Sequence, residues 1–467
     1  MLFSSLEFLV FLGVVLVGYH LVIPSRRWGA RKTFLLCASY VFYMAWHPVF
    51  ALILLGSSLL GFVLGPALAP EWPARGRRIA LVVSLVGNLG ALGFFKYGEF
   101  VTANVYWLLG PAIGYRPPPV WSIALPIGIS FYVFEVVSYS LDVYRGVLRP
   151  CRSFLDFALF LAFFPHVLCG PIVRAGQLLP QFVRPPRLEG AGVETALARI
   201  GIGFVKKVLF ADTLGAYVDL VFANPSPYGP GNVLLAVYAY AYQIYFDFSG
   251  YTDIAIGLAG LFGLGLPENF DRPYMATSPR DFWRRWHVTL SAWLRDYVYV
   301  SLGGNRRGPG RTQVNLLLTM LLGGLWHGAG WHFVAWGGYH GILLVLERML
   351  GKRVEPRGVV TAWLARLVTF HLVCAGWVLF RAESLADAWL VFARLASPGQ
   401  FVPVPGAGVV AALLAIAIAT HSLLAATTTW RTLVRIPPWC QGMGYAAVII
   451  LCLLLAQQQA PFIYFQF

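Results

Sequence analysis

Residues Val314–Glu347 read VNLLLTMLLGGLWHGAGWHFVAWGGYHGILLVLE, and the first acid, lysine or arginine in that run is Glu347 at its end. One helix needs roughly 18–20 apolar residues to cross a bilayer, and this run exceeds that length. It contains no proline, so it reads as a membrane span over 313–346. Glycine recurs at 323, 324, 328, 330, 337, 338 and 341. Gly324–Gly328 and Gly337–Gly341 are GxxxG pairs, which let helix backbones approach closely.

Working outward, further apolar runs lie at 5–24, 33–46, 49–69, 79–95, 121–141, 153–170, 197–222, 232–264, 360–380, 407–427 and 441–457. They are continuous rather than alternating, which favours helices over a barrel. Hydrophobic residues make up 58% of the 467 and charged ones 12%, and mean hydropathy is +0.68. This predicts an all-α polytopic membrane protein with roughly 11–12 transmembrane helices, a single integral domain over 1–467. The first run has its positive charge after it, which predicts a retained span with its N-terminus outside.

The net charge of +15 gathers in short connections: SRRWGARK at 25–32, ARGRR at 74–78, NRRGPGR at 305–311 and GKRVEPR at 351–357. Basic short loops mark the cytoplasmic side, so nucleic acid is not an expected partner. Proline and glycine interrupt several runs, as in LPIGISFYVFEVVSY with its acid Glu135, and FFPHVLCGPIVR. Broken helices at membrane depth belong inside protein or beside a wet cavity, which predicts re-entrant segments around an internal chamber. The segment DFWRRWHVTLSAWLRDY reads as an interfacial amphipathic helix. On it Trp283, Trp286, Leu290, Trp293, Leu294 and Tyr297 share one face, and Arg284, Ser291 and Arg295 lie opposite.

Candidate chemistry concentrates between 242 and 345. His327 lies among glycines with Trp326 and Trp331 beside it. A neutral imidazole there can take a proton from a hydroxyl, or it can simply hydrogen-bond between helices; spacing leaves the two readings level. His332 and His340 read as packing residues. Asp247 and Asp253, in YFDFSGYTDIAIG, are acids in apolar surroundings that need partners; the arginines and histidines of 284–295 are the expected ones. Asn269, in PENFDRPY, belongs to an ordered polar turn at a ligand entrance. No HExxH, CxxC or GxSxG occurs, so neither a metal nor a serine nucleophile is expected. His166 and Cys169 allow a Cys–His pair on a helix, with little else in its favour.

The stretches YFDFSGYTDIAIGLAGLFGLGLPENFDRPY, SPRDFWRRWHVTLSAWLRDYVYVSLGGNRRG, NLLLTMLLGGLWHGAGWHFVAWGGYHG and the ending PFIYFQF resemble the membrane-bound O-acyltransferase (MBOAT) family. The resemblance is to its polysaccharide-acetylating, alginate O-acetyltransferase branch. It implies a multi-helix fold around a central funnel in the bacterial inner membrane, with His327 catalytic and His287 a second functional histidine. It also implies acetyl-CoA as co-substrate with no bound cofactor, and as partners an SGNH-hydrolase-like extracytoplasmic acetyltransferase and polysaccharide export machinery. Arg284, Arg285 and Arg295, with Arg306 and Arg307, would attract the phosphates of that donor, or the same charges set the topology, and the two readings stand level. Asp247, Asp253, Asn269 and Trp326 are the further substrate- or donor-binding candidates. Acyl transfer to a lipid, protein or other envelope acceptor is the alternative within the class; a transporter with a histidine proton relay is the alternative outside it.

Overall fold

The computed structural model describes residues 1, 3, 5–113, 124–186, 190–351, 356, 358–399, 402–423, 436–454 and 462–463. The basic stretch at 351–357 and the ending PFIYFQF lie largely outside these, as do parts of the runs expected at 121–141, 407–427 and 441–457. The described residues form helices and connecting turns, with no strand among them. They group into two compact units, Met1–Val193 with Leu258–Pro267, and Glu194–Gly257 with Glu268–Phe467.

The first unit contains helices α1 (Leu6–Val17), α2 (Trp28–Met44), α3 (Phe50–Leu68), α4 (Ala74–Leu92), α5 (Gly98–Ile113), α6 (Ile129–Tyr144), α7 (Phe154–Ala162) and the single turn α8 (Ala175–Leu178). At 1.5 Å per residue, α3 alone is about 28 Å long, enough for a hydrocarbon core. A widened turn over Gly93–Tyr97 joins α4 to α5. Small residues let the helices meet: a Cβ on Gly61 would lie 2.9 Å from both Phe157 and Val136. Ser84 and Ser140 hydrogen-bond across α4 and α6 at 2.8 Å, the polar adhesive expected where no water competes. Gly128, at φ 76°, starts α6, and a Cβ there would lie 2.3 Å from the Val167 carbonyl oxygen. Only glycine fits that turn, so the break read from Pro126 and Gly128 is real. Buried Glu135 accepts from the Val173 amide at 3.0 Å and faces His166 Nδ1 at 3.3 Å. His166 is therefore the partner of a buried acid.

The second unit holds α9 (Gly190–Phe204, from Glu194 onward), α10 (Thr213–Ala223), α11 (Pro230–Leu261, as far as Gly257), α12 (Pro279–Arg285), α13 (Val288–Trp293), α14 (Pro309–His327), α15 (Trp331–Leu350), α16 (Val359–Arg381), α17 (Leu385–Ala396), α18 (Ala407–Leu423) and α19 (Pro438–Leu454). Among the described residues three stretches are long and apolar enough to cross a membrane unaided: Phe50–Leu68, Ala74–Gly110 and Val359–Arg381. The other apolar runs are shorter, more polar or interrupted.

Two expectations need correction. The run 313–346 is a hairpin of two helices, α14 and α15, turning at Gly328–Gly330. Gly324 and Gly337 face each other across it. A Cβ on Gly324 would sit 2.2 Å from the Phe333 carbonyl oxygen, and one on Gly337 would sit 2.3 Å from that of Met320. Glycine therefore brings together two helices of the same run. The amphipathic segment is likewise not one helix. It breaks between α12 and α13, where His287 takes φ 43°, ψ 55°. Its sidedness survives the break: Trp286, Leu290, Trp293, Leu294 and Tyr297 are buried, while Arg284 and Arg295 are exposed.

Candidate active site

His327 is the last residue of α14 and is 3% exposed. Its ring is enclosed by Trp326, Trp336 and Phe380, whose centroids lie at 5.0, 5.0 and 5.1 Å in edge-on geometry. The sequence placed Trp326 beside it; Trp336 comes from the next helix and Phe380 from α16. Trp336 reaches it because the glycine contacts draw α15 against α14. His340, which the sequence reads as a packing residue, also lies against Trp336, at 5.0 Å.

His287 is fully buried and lies between the short helices α12 and α13, outside the membrane-crossing stretches. Phe248 of α11 packs edge-on against it at 4.6 Å, and Trp326 approaches to 5.9 Å. Trp326 thus touches both candidate histidines. The Nδ1 atom of His287 lies 3.1 Å from Asn269 Oδ1. Burial pulls its pKa down to about 3, because a desolvated imidazolium lacks compensating charge. The ring is therefore neutral near pH 7.

Asp247 and Asp253 are buried on α11, but their partners are not the expected ones. Asp247 pairs with Lys207 at 2.7 Å and accepts from the Ile463 amide at 2.7 Å. Asp253 pairs with Lys206 at 2.6 Å and Arg199 at 3.1 Å; Arg199 also holds Glu268. These bases come from the α9 side. Gly203 and Gly257 permit the approach, since a Cβ on either would lie 2.7 Å from a carbonyl oxygen of the other helix. The carboxylates are accordingly neutralised within the fold.

The arginines do not converge on the histidines. Arg285 bonds Asp281 at 2.9 Å and the Asp271 carbonyl at 3.3 Å. Arg295 pairs with Asp296 at 2.7 Å on the surface, and Arg284, Arg306 and Arg307 are exposed. Asn269, expected in an entrance turn, is instead fully buried beside His287. Phe248 and Phe380 carry no signal in the sequence, because their roles depend on helix crossings.

The model of the membrane-bound O-acyltransferase family matches residues 146–368. A Pseudomonas aeruginosa protein named "Probable alginate O-acetylase" is 44% identical over 403 residues, covering 86% of this chain and 76% of its own. A Pseudomonas putida protein of the same name is 39% identical over the full length of both chains. The peptidoglycan O-acetyltransferase of Helicobacter pylori is 34% identical, covering 83% of this chain and 78% of its own. Helical architecture, membrane-length apolar helices and these matches together make the chain a membrane acyltransferase that belongs to the membrane-bound O-acyltransferase family.

Proposed function

We propose that this chain is an O-acetyltransferase of the bacterial inner membrane that passes acetyl groups from cytoplasmic acetyl-CoA toward an exported polysaccharide, alginate or a similar polymer. The observation that carries the proposal is the pairing of His327 and His287 on either side of Trp326, in an aromatic, water-poor enclosure. The alginate and peptidoglycan acetylating relatives support the substrate class. His327 removes the proton of an acceptor hydroxyl as its oxygen attacks the thioester carbonyl carbon. The new C–O bond forms, the C–S bond breaks, and the thiolate of CoA takes the proton back from the imidazolium. His287 orients or polarises a reactant. An extracytoplasmic partner of the SGNH-hydrolase type completes delivery to the polymer beside the export machinery. Arg284, Arg285, Arg295 and their exposed neighbours draw the donor's phosphates to the cytoplasmic mouth.

His327→Ala tests this reading in membranes supplied with labelled acetyl-CoA. Label transfer should vanish while the protein still accumulates, and undiminished acetylation would remove His327 from the mechanism. Label recovered in lipid or protein rather than carbohydrate would redirect the acceptor assignment.

A further inference from the structure

We infer that Asn269 is a positioning residue that fixes the tautomer of His287, so that the neutral ring presents Nε2 as a hydrogen-bond acceptor. The inference rests on the reading above that His287 serves the transfer.

The first amides of a helix have no partner within it. His287 occupies the N-cap position of α13, and its side chain makes no capping bond there. Asn269 supplies the missing acceptors from a separate loop. Its backbone carbonyl accepts from the Val288 amide at 2.9 Å. Its side-chain Oδ1 accepts from the Thr289 amide at 3.2 Å and the Thr289 hydroxyl at 2.9 Å. A second bond, from the Asp271 amide to the Arg285 carbonyl at 2.9 Å, brackets His287 from the other side. These bonds hold a non-glycine residue at φ 43°, a backbone conformation that L side chains rarely adopt.

The same bonds decide the protonation of the ring. A backbone N–H can only donate, so the Asn269 atom facing the Thr289 amide is the amide oxygen, and flipping the amide would set its NH2 against that N–H. That oxygen only accepts. His287 Nδ1, 3.1 Å away, must therefore carry the hydrogen. A neutral imidazole carries one N–H, which leaves the lone pair on Nε2. In this state His287 cannot donate to the thioester carbonyl. It accepts a hydrogen from a reactant, and the reacting hydroxyl gives its only one to His327. The group it suits is a second hydrogen-bond donor on the acceptor, beside the reacting hydroxyl.

The test is a double-mutant cycle on the full chain in native membranes, which retain its partner proteins, with labelled acetyl-CoA and alginate oligosaccharide as the probe. Asn269→Ala should lower kcat about 10–100-fold, the range seen when the partner that orients a metal-bound histidine is removed. In a His287→Ala background the same change should cause no further loss, and Asn269→Asp, which keeps the acceptor, should recover most of the rate. Losses that multiply in the double variant, or an Asn269→Asp protein that accumulates yet is as impaired as Asn269→Ala, would overturn the inference. Should Asn269→Ala fail to accumulate, ring-nitrogen NMR of the unmutated chain decides, with His287 assigned by its loss in His287→Ala. A protonated Nδ1 and bare Nε2 are expected, and the reverse overturns the assignment. An unimpaired His287→Ala would instead overturn the role of His287 itself, and this inference with it.

Discussion

Replacing Gly337 by alanine should separate packing from chemistry at His327. The new Cβ would lie 2.3 Å from the Met320 carbonyl oxygen and 3.2 Å from Gly324 Cα, whereas ordinary contact begins near 3.4 Å. Both obstacles are backbone, so no rotamer relieves them, and α14 and α15 must part by about 1 Å. Such overpacking typically costs about 1–3 kcal/mol, which weakens the protein without unfolding it. The catalytic effect should be larger. His327 ends α14 and leans on Trp336 of α15, so a separation of about 1 Å reaches the reacting group, where misplacement on that scale can cost about 100-fold. Gly338→Ala is the control, because its Cβ would meet only Leu321 Cδ2 at 3.5 Å. The assay is acetyl transfer in membranes, normalised to protein, alongside thermal aggregation in detergent. A Gly337→Ala enzyme with the activity of Gly338→Ala would refute the claim that the hairpin contact positions His327.

Other perturbations test the supporting groups. Lys207→Met leaves Asp247 and Asp212 without their shared cation and should cost about 3–5 kcal/mol, read as loss of detergent-extractable protein. A companion Asp247→Asn should recover part of it, and normal yield of the single variant would contradict the pairing. Arg295→Ala removes an exposed pair with Asp296, so stability should change by less than about 1 kcal/mol. If Arg295 meets the donor's phosphates, KM for acetyl-CoA rises while kcat holds, and an unchanged KM takes it off the donor path.

Helix content and the break before α6 were legible because length, hydropathy and Pro126 with Gly128 are local signals. The α14–α15 turn was not. Gly328 and Gly330 sit in extended conformations, φ −167° and −155°, which any residue can adopt, so nothing local forces a reversal there. The turn follows from Gly324 meeting Gly337, a tertiary contact. The break at His287 was hidden for the same reason: WRRWHV holds no glycine or proline, and the competing bonds come from Asn269 and Asp271. The partners of Asp247 and Asp253 were misread toward the neighbouring arginines because sequence proximity is a poor guide to which helix crosses α11. The candidate histidines were found from residue type and resemblance, while Phe248, Phe380 and the buried setting of Asn269 had no signature of their own.

The two histidines sit at opposite kinds of helix end, and this argues for different roles. His327 closes α14, where the exposed carbonyls form the negative end of the helix dipole. His287 stands at the N-terminal end of α13, whose amides disfavour a cation. His327 is thus suited to becoming imidazolium during transfer, and His287 to remaining neutral as a hydrogen-bond acceptor. Glutamine substitution distinguishes the two, since its amide oxygen can accept a hydrogen bond but takes no proton at neutral pH. His287→Gln should keep a measurable fraction of the rate and His327→Gln none, both judged at equal protein levels. Residual turnover in His327→Gln with none in His287→Gln would reverse the assignment of base and orienting group.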